Sequence, residues 1–167
     1  VQIDFRSTGC APLTLVENAR VDVRESSRRN SAIDFDEIWC VFDVDAHPNL
    51  NQAREEARQS RIRTAVSNPC FELWLILHAE DLARYTSRRG VQRHATVLGF
   101  IVGKSIPHTA WTTLNENYDA AKRRTQSLDA MHAANGSPAG NNPSSGMWQL
   151  IDQLQNNISD TSGNNRT

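Results

Sequence analysis

Two carboxylates one residue apart close an apolar run, Trp39-Cys40-Val41-Phe42-Asp43-Val44-Asp45. A third acid, Glu72, stands inside the apolar segment Ser67-Asn68-Pro69-Cys70-Phe71-Glu72-Leu73-Trp74-Leu75-Ile76-Leu77-His78. Side chains two apart on extended backbone point the same way, so Asp43 and Asp45 can face one ligand. Hard divalent cations, Mg2+ or Mn2+, take oxygen donors of this kind, and Mg2+ is held through one or two carboxylates together with substrate phosphates. Glu72 is the only charged residue between Pro69 and Leu77. A buried carboxylate is costly unless it is paired or metal-bound. The chemistry indicated is metal-dependent phosphoryl transfer, with Asp43, Asp45 and Glu72 as both catalytic residues and metal ligands. Each acid also has a plainer reading. The aspartates could belong to a solvated turn or cap a helix, and Glu72 could pair with an arginine such as Arg63 or reach solvent.

Lys104 joins the catalytic set as a cation able to neutralise a transferring phosphoryl group. Its setting, Gly103-Lys104-Ser105, lacks the upstream glycine of a phosphate-binding loop, because position 98 is Leu. Nucleotide binding there is rejected. His47 could serve as ligand or acid/base, and His78, at the end of an apolar helix, is already favourable there as a cation. Arg88, Arg89, Arg93, Arg123 and Arg124 offer either a phosphate-backbone surface or a solvated face.

The elements that must position these residues read as an α/β protein. Val1 to Phe5 alternates like a short strand, and Leu13 to Arg29 has helical spacing. Ile38 to Phe42 is continuously apolar, as expected of a strand buried in a parallel sheet. This predicts that Asp43 and Asp45 lie at the carboxyl edge of a central parallel strand, where open α/β sheets place their sites. A helix striped by Leu50, Ala53 and Ala57 follows, then a strand over Ile62 to Val66. Asn68-Pro69 reads as an N-cap followed by proline at the first helical position. It opens a helix through His78 that is apolar nearly all round and therefore buried. The alternation predicts a doubly wound parallel sheet. Residues 1–134 form this domain. Leu82 to Gly90 is mixed and arginine-rich, Val97 to Val102 is a short apolar run, and Thr113 to His132 reads as one helix. Residues 135–146 form a linker, 147–158 a short amphipathic helix, and 159–167 a disordered tail.

With 18 basic and 19 acidic residues the net charge is -1, so charge alone does not announce a nucleic-acid binder. All the basic residues but Lys104 and Lys122 are arginines, which suit bidentate phosphate contacts. Three scattered cysteines exclude a zinc knuckle and a disulfide framework. Cys40 and Cys70 are expected as reduced core thiols, which fits the cytoplasm. No apolar stretch reaches membrane-spanning length.

The segment Asp36 to His47, the alanine-rich helix after it, Ser67 to His78, and Asn142-Pro143-Ser144-Ser145 together resemble the RloB-like family of bacterial defence proteins over roughly residues 1–155. The Ser-Asn-Pro-x-Phe-Glu-x-Trp core is the specific part. The resemblance implies a Toprim-like fold and a Mg2+-dependent (or Mn2+-dependent) nuclease-type hydrolase centre. It also implies a setting in phage defence and abortive infection, nucleic acid as substrate and an ATPase partner subunit. Asp43 and Asp45 would be the Toprim Asp-x-Asp pair and Glu72 a further acid. A Toprim centre also uses a glutamate ending a strand ahead of Val1 to Phe5, and no Glu precedes Glu17. Either that strand precedes Val1 or the site is degenerate. Two other readings stand beside the nuclease: a regulatory or interaction subunit, and a HAD-like phosphatase with Asp43 as nucleophile. The phosphatase is disfavoured by His47 where Thr or Val is expected.

Overall fold

The computed structural model of the chain describes residues 3–6, 9–28, 35–44 and 49–163. Among them run α1 (Pro12–Arg28), β1 (Trp39–Asp43), α2 (Leu50–Gln59), β2 (Arg63–Asn68), α3 (Glu72–Ala79), α4 (Arg88–Val97), α5 (Ala110–Glu116), α6 (Tyr118–Ala134), β3 (Ser144–Ser145) and α7 (Met147–Gly163). The class is α/β, with seven helices and a small mixed sheet among the described residues.

The sheet has the order β1-β2-β3. Backbone bonds from Arg63 N to Ile38 O and from Val44 N to Ser67 O advance in the same direction along both chains, so β1 and β2 are parallel. β3 pairs antiparallel with β2, Ser67 opposite Ser145 and Asn68 opposite Ser144. The expected central position of β1 is therefore corrected: β2 is central and β1 lies at the edge of the described strands, so the position of this strand no longer argues for a metal at Asp43. Val41, mid-strand, is accordingly 44% exposed. Of the residues read as a strand ahead of it, Ile3 to Phe5 are irregular, and Val1 and Gln2 lie outside the described residues. Phe5 is 84% exposed. Apolar alternation makes a strand only where a neighbour takes its backbone hydrogen bonds.

The chain divides into two compact units, one of Val1–Val41, Ala46–Ala65 and Gln149–Thr167, the other of Phe42–Asp45 and Val66–Trp148. In the first, α1 packs on α2 around Val16, Ala53 and Ala57, all fully buried, and Arg20 bridges to Glu56 at 2.8 Å. Arg63 lies over the Trp39 ring, 4.7 Å from its centroid, and donates to Glu37.

The second unit is organised by α3. Leu73 through His78 are all buried, because α4, α5, α6 and β3 surround the helix. An apolar helix without a polar face needs such a surround. Its start is three residues later than a Pro69 N1 would give. Asn68-Pro69 is a cis peptide, the cap position falls on Phe71, and no side chain caps the helix. Asn68 instead donates to Gly140 O at 2.8 Å, so its amide is used across the fold rather than along it.

Further expectations change. The arginine-rich stretch hides α4, whose buried stripe is only Val91 and Ala95. Ser87 caps this helix by accepting from Gly90 N. Its end is set by Gly99 at φ 79°, with Phe100 N bonding back to Ala95 O and Gly99 N to Thr96 O. This is the left-handed closure that glycine adopts without a Cβ penalty. Val97 and Val102, read as part of an apolar run, are 78% and 64% exposed. The single helix over Thr113 to His132 is two, parted at Asn117, whose amide donates to Thr113 O. An Asn side chain competes in this way with the helical ladder. The 135–146 stretch supplies β3, and α7 continues helically to Gly163 where a disordered tail was expected, residues 164–167 lying outside the described set.

His78 is a structural core residue. Its ring meets Trp74 edge-on at 4.6 Å, and Nδ1 donates to Trp74 O at 2.8 Å. Burial pushes the imidazole below its ordinary value of 6.5, outweighing the raising effect of the carbonyls of Trp74 and Leu75. The unfolded chain therefore binds a proton that the folded chain refuses. The stabilisation from neutral His78 is complete above about pH 6.5 and is lost as pH falls toward the depressed folded value. In urea titrations across that window, His78→Leu is expected to flatten the acid-side decline seen in wild type. An unchanged decline would assign it to other groups.

Candidate functional site

Asp43 ends β1. Its Oδ1 accepts the Phe71 N–H at 2.8 Å, and its Oδ2 lies 3.6 Å from an Arg88 nitrogen. The turn before α3 thus orients one oxygen of Asp43, and the first residue of α4 faces the other. Asp43 is about a quarter exposed and Arg88 about two-fifths. Asp45 and His47 lie outside the described residues.

Glu72 opens α3 and accepts from Gln92 Nε2 at 3.3 Å. The pairing with Arg63 considered for it is not formed, since Arg63 turns to Glu37. Cys70, two residues before Glu72, is fully buried. Burial, then a hydrogen bond to Glu72, then the charges of Glu72 and Asp43 push the Cys70 thiol well above its ordinary value. Cys70 therefore stays protonated and is no nucleophile. The Phe71 N–H bond sets Asp43 against the turn that leads into Glu72, so the two acids share a corner of the fold although they come from different elements.

Beside this corner opens a cleft of about 490 Å³, lined by Val44, Asn68, Pro69, Tyr85, Ser87, Arg88, Asn141 and Asn142. Its walls are held by backbone bonding through side-chain amides. Asn142 accepts from Thr86 N at 3.2 Å and donates to Thr86 O at 2.9 Å, a two-bond clamp on the segment carrying Tyr85 and Ser87. His132 Nε2 bonds Pro143 O at 3.0 Å, and the buried hydroxyls of Ser67 and Ser145 bond each other at 3.0 Å. A Cβ at Gly90 would sit 2.9 Å from the Thr86 methyl, so a larger residue there would have to displace that side chain. The sequence reading missed Tyr85, Ser87 and Asn141 as lining residues. A usable signal was the repetition of Asn-Pro at 68–69 and 142–143, because those dipeptides meet where β2 and β3 pair.

Lys104 is exposed in the tight turn closed by Val102 and Ser105, and is not among the residues lining the cleft. Arg124 donates to Leu77 O at 2.7 Å and lies near Asp81, so it satisfies the end of α3. Arg89, Arg93 and Arg123 are exposed. Among the described residues no group of three or more His, Cys, Asp or Glu side chains converges as a metal cage. Cys40 and Cys70 are buried free thiols, as expected. No described helix is long and apolar enough to cross a membrane.

An α/β protein with an acid at a strand end and another opening a buried helix, beside a polar cleft that carries an arginine, is the class that fold and site define. The family of RloB-like proteins matches residues 2–154, nearly the whole chain, and the chain belongs to that family. No curated protein and no solved structure matches it.

Proposed function

We propose that this protein carries a Mg2+- or Mn2+-dependent, Toprim-like centre that cleaves nucleic-acid phosphodiesters in bacterial phage defence. The carrying observation is geometric: Asp43 Oδ1 takes the Phe71 N–H at 2.8 Å, which sets the acid ending β1 against the turn that leads into Glu72, beside a cleft bearing Arg88. The donors are hard oxygens, and Mg2+ needs only one or two carboxylates because it keeps several waters. Asp43 and Glu72 would hold the cation, with Asp45 as the further donor. When bound, the cation would supply charge neutralisation and an activated water.

The chain's own residues do the rest. The Phe71 N–H fixes the orientation of Asp43, and Arg88 draws a phosphate oxygen toward it, since a guanidinium binds phosphate through paired donors. Lys104 is kept in the proposal as a further cation for the phosphodiester. The resemblance to RloB-like defence proteins implies abortive infection as the setting and an ATPase as the partner subunit. Self-association remains compatible with these roles, and the free core thiols suit the cytoplasm.

A second reading, a regulatory or interaction subunit, is favoured by two observations: β1 is an edge strand, and Arg88 lies where a cation would compete for Asp43. Cleavage of DNA and RNA with Mg2+ or Mn2+, beside melting with and without metal, separates the two. The nuclease reading expects metal-dependent cleavage and a higher melting temperature in metal, because a ligand at a hundred times its Kd stabilises by about 2.7 kcal/mol. Neither effect appears if the site is only a binding surface.

A further inference from the structure

Resting on the reading that this site takes nucleic acid, we propose that the cleft selects a single strand, with a base stacked on Tyr85 and the adjoining phosphate on Arg88. Tyr85 is 77% exposed, yet it stands in the wall of the 490 Å³ cleft. An exposed ring on a floppy loop would mean little. The backbone that follows this ring is fixed: Asn142 bonds the Thr86 backbone in both directions, and Ser87 caps α4. The platform is therefore positioned before any ligand arrives, which lowers the ordering cost of binding.

The polar groups around the ring match one nucleotide. Arg88 leads off α4 beside Asp43 and lines the same cleft, with its side chain about two-fifths exposed. Asn141 and the Ser87 hydroxyl line the same wall. A cavity of this size accepts a base with its sugar and phosphate. In a duplex both faces of each base are covered by its neighbours, so the ring would have nothing to stack on. Aromatic stacking beside a cationic group is how proteins hold single strands with little sequence preference.

The test measures anisotropy of short labelled oligothymidylate, oligouridylate and a matched duplex, with Ca2+ in place of Mg2+ so that turnover does not intervene. Wild type is expected to bind both single strands more tightly than the duplex. Tyr85→Ala should lose about tenfold in affinity for the single strands, while Tyr85→Phe and Tyr85→Trp keep it. Circular dichroism confirms folding of the exposed-site variants. Equal affinity of Tyr85→Ala and wild type, equal affinity for duplex and single strand, or a Phe variant as weak as the Ala variant would each overturn the proposal. The readout is separable from catalysis. Tyr85-dependent binding without cleavage would remove the nuclease reading and leave this one standing. Cleavage with Tyr85-independent binding would do the reverse.

Discussion

Asp43→Asn is expected to lower metal-dependent cleavage by at least about a hundredfold while leaving the fold intact, and Asp45→Asn to do the same. Asn keeps the shape of Asp and removes the charge that holds a hard cation. At position 43 it also keeps an acceptor oxygen for the Phe71 N–H, which Asp43 Oδ1 now takes at 2.8 Å, so the turn before α3 should survive. Crowded carboxylates would predict that neutralising one stabilises the metal-free protein. The structure argues otherwise, since Asp43 is balanced by Arg88 at 3.6 Å. A partly exposed pair of this kind is worth about 0–1 kcal/mol. Metal-free Asp43→Asn should therefore melt at or slightly below wild type, and it should lose the rise on adding Mg2+. Glu72→Gln is expected to act in the same direction more weakly. Cleavage by Asp43→Asn at the wild-type rate would exclude this corner as the catalytic centre and leave the binding reading.

Leu75→Ala should have the largest effect on stability, about 2–5 kcal/mol in urea unfolding. Leu75 is 1% exposed in a helix whose neighbours Leu73, Ile76 and Leu77 are wholly buried, so the cavity has rigid walls on every side. Such sites collapse little, and the lost contacts stay lost. Val97→Ala makes the control. Val97 is 78% exposed at the end of α4, and its truncation should cost no more than about 0.5 kcal/mol. A Leu75→Ala cost near the control value would mean that α3 is not the core of its unit. Because Glu72 opens the same helix, a fully destabilised α3 would also misplace the acid. Activity of core variants is meaningful only well below their melting range.

Local chemistry was sufficient for several elements. The run Trp39 to Asp43 and the stretch around Ala65 could only bury themselves as strands, and a helix apolar on all faces had to be enclosed. Cys40 and Cys70 had no partner spacing, and they are buried thiols. Glu72 was conspicuous because a charge among six apolar residues needs a reason. What the sequence could not decide was every relation between distant segments. Whether β1 is central or at an edge depends on which strands find it, and nothing within Trp39 to Asp43 records that. The helix start moved from Pro69 to Glu72 because Asn68 spends its amide on Gly140, seventy-two residues away. α4 was hidden because its buried stripe is only Val91 and Ala95, too short a pattern to outweigh its arginines. The cleft draws on β2, the segment before α4 and the one before β3. A side-chain clamp such as Asn142 on Thr86 has no period and no fixed spacing, so it exists only once the tertiary structure has brought its two ends together.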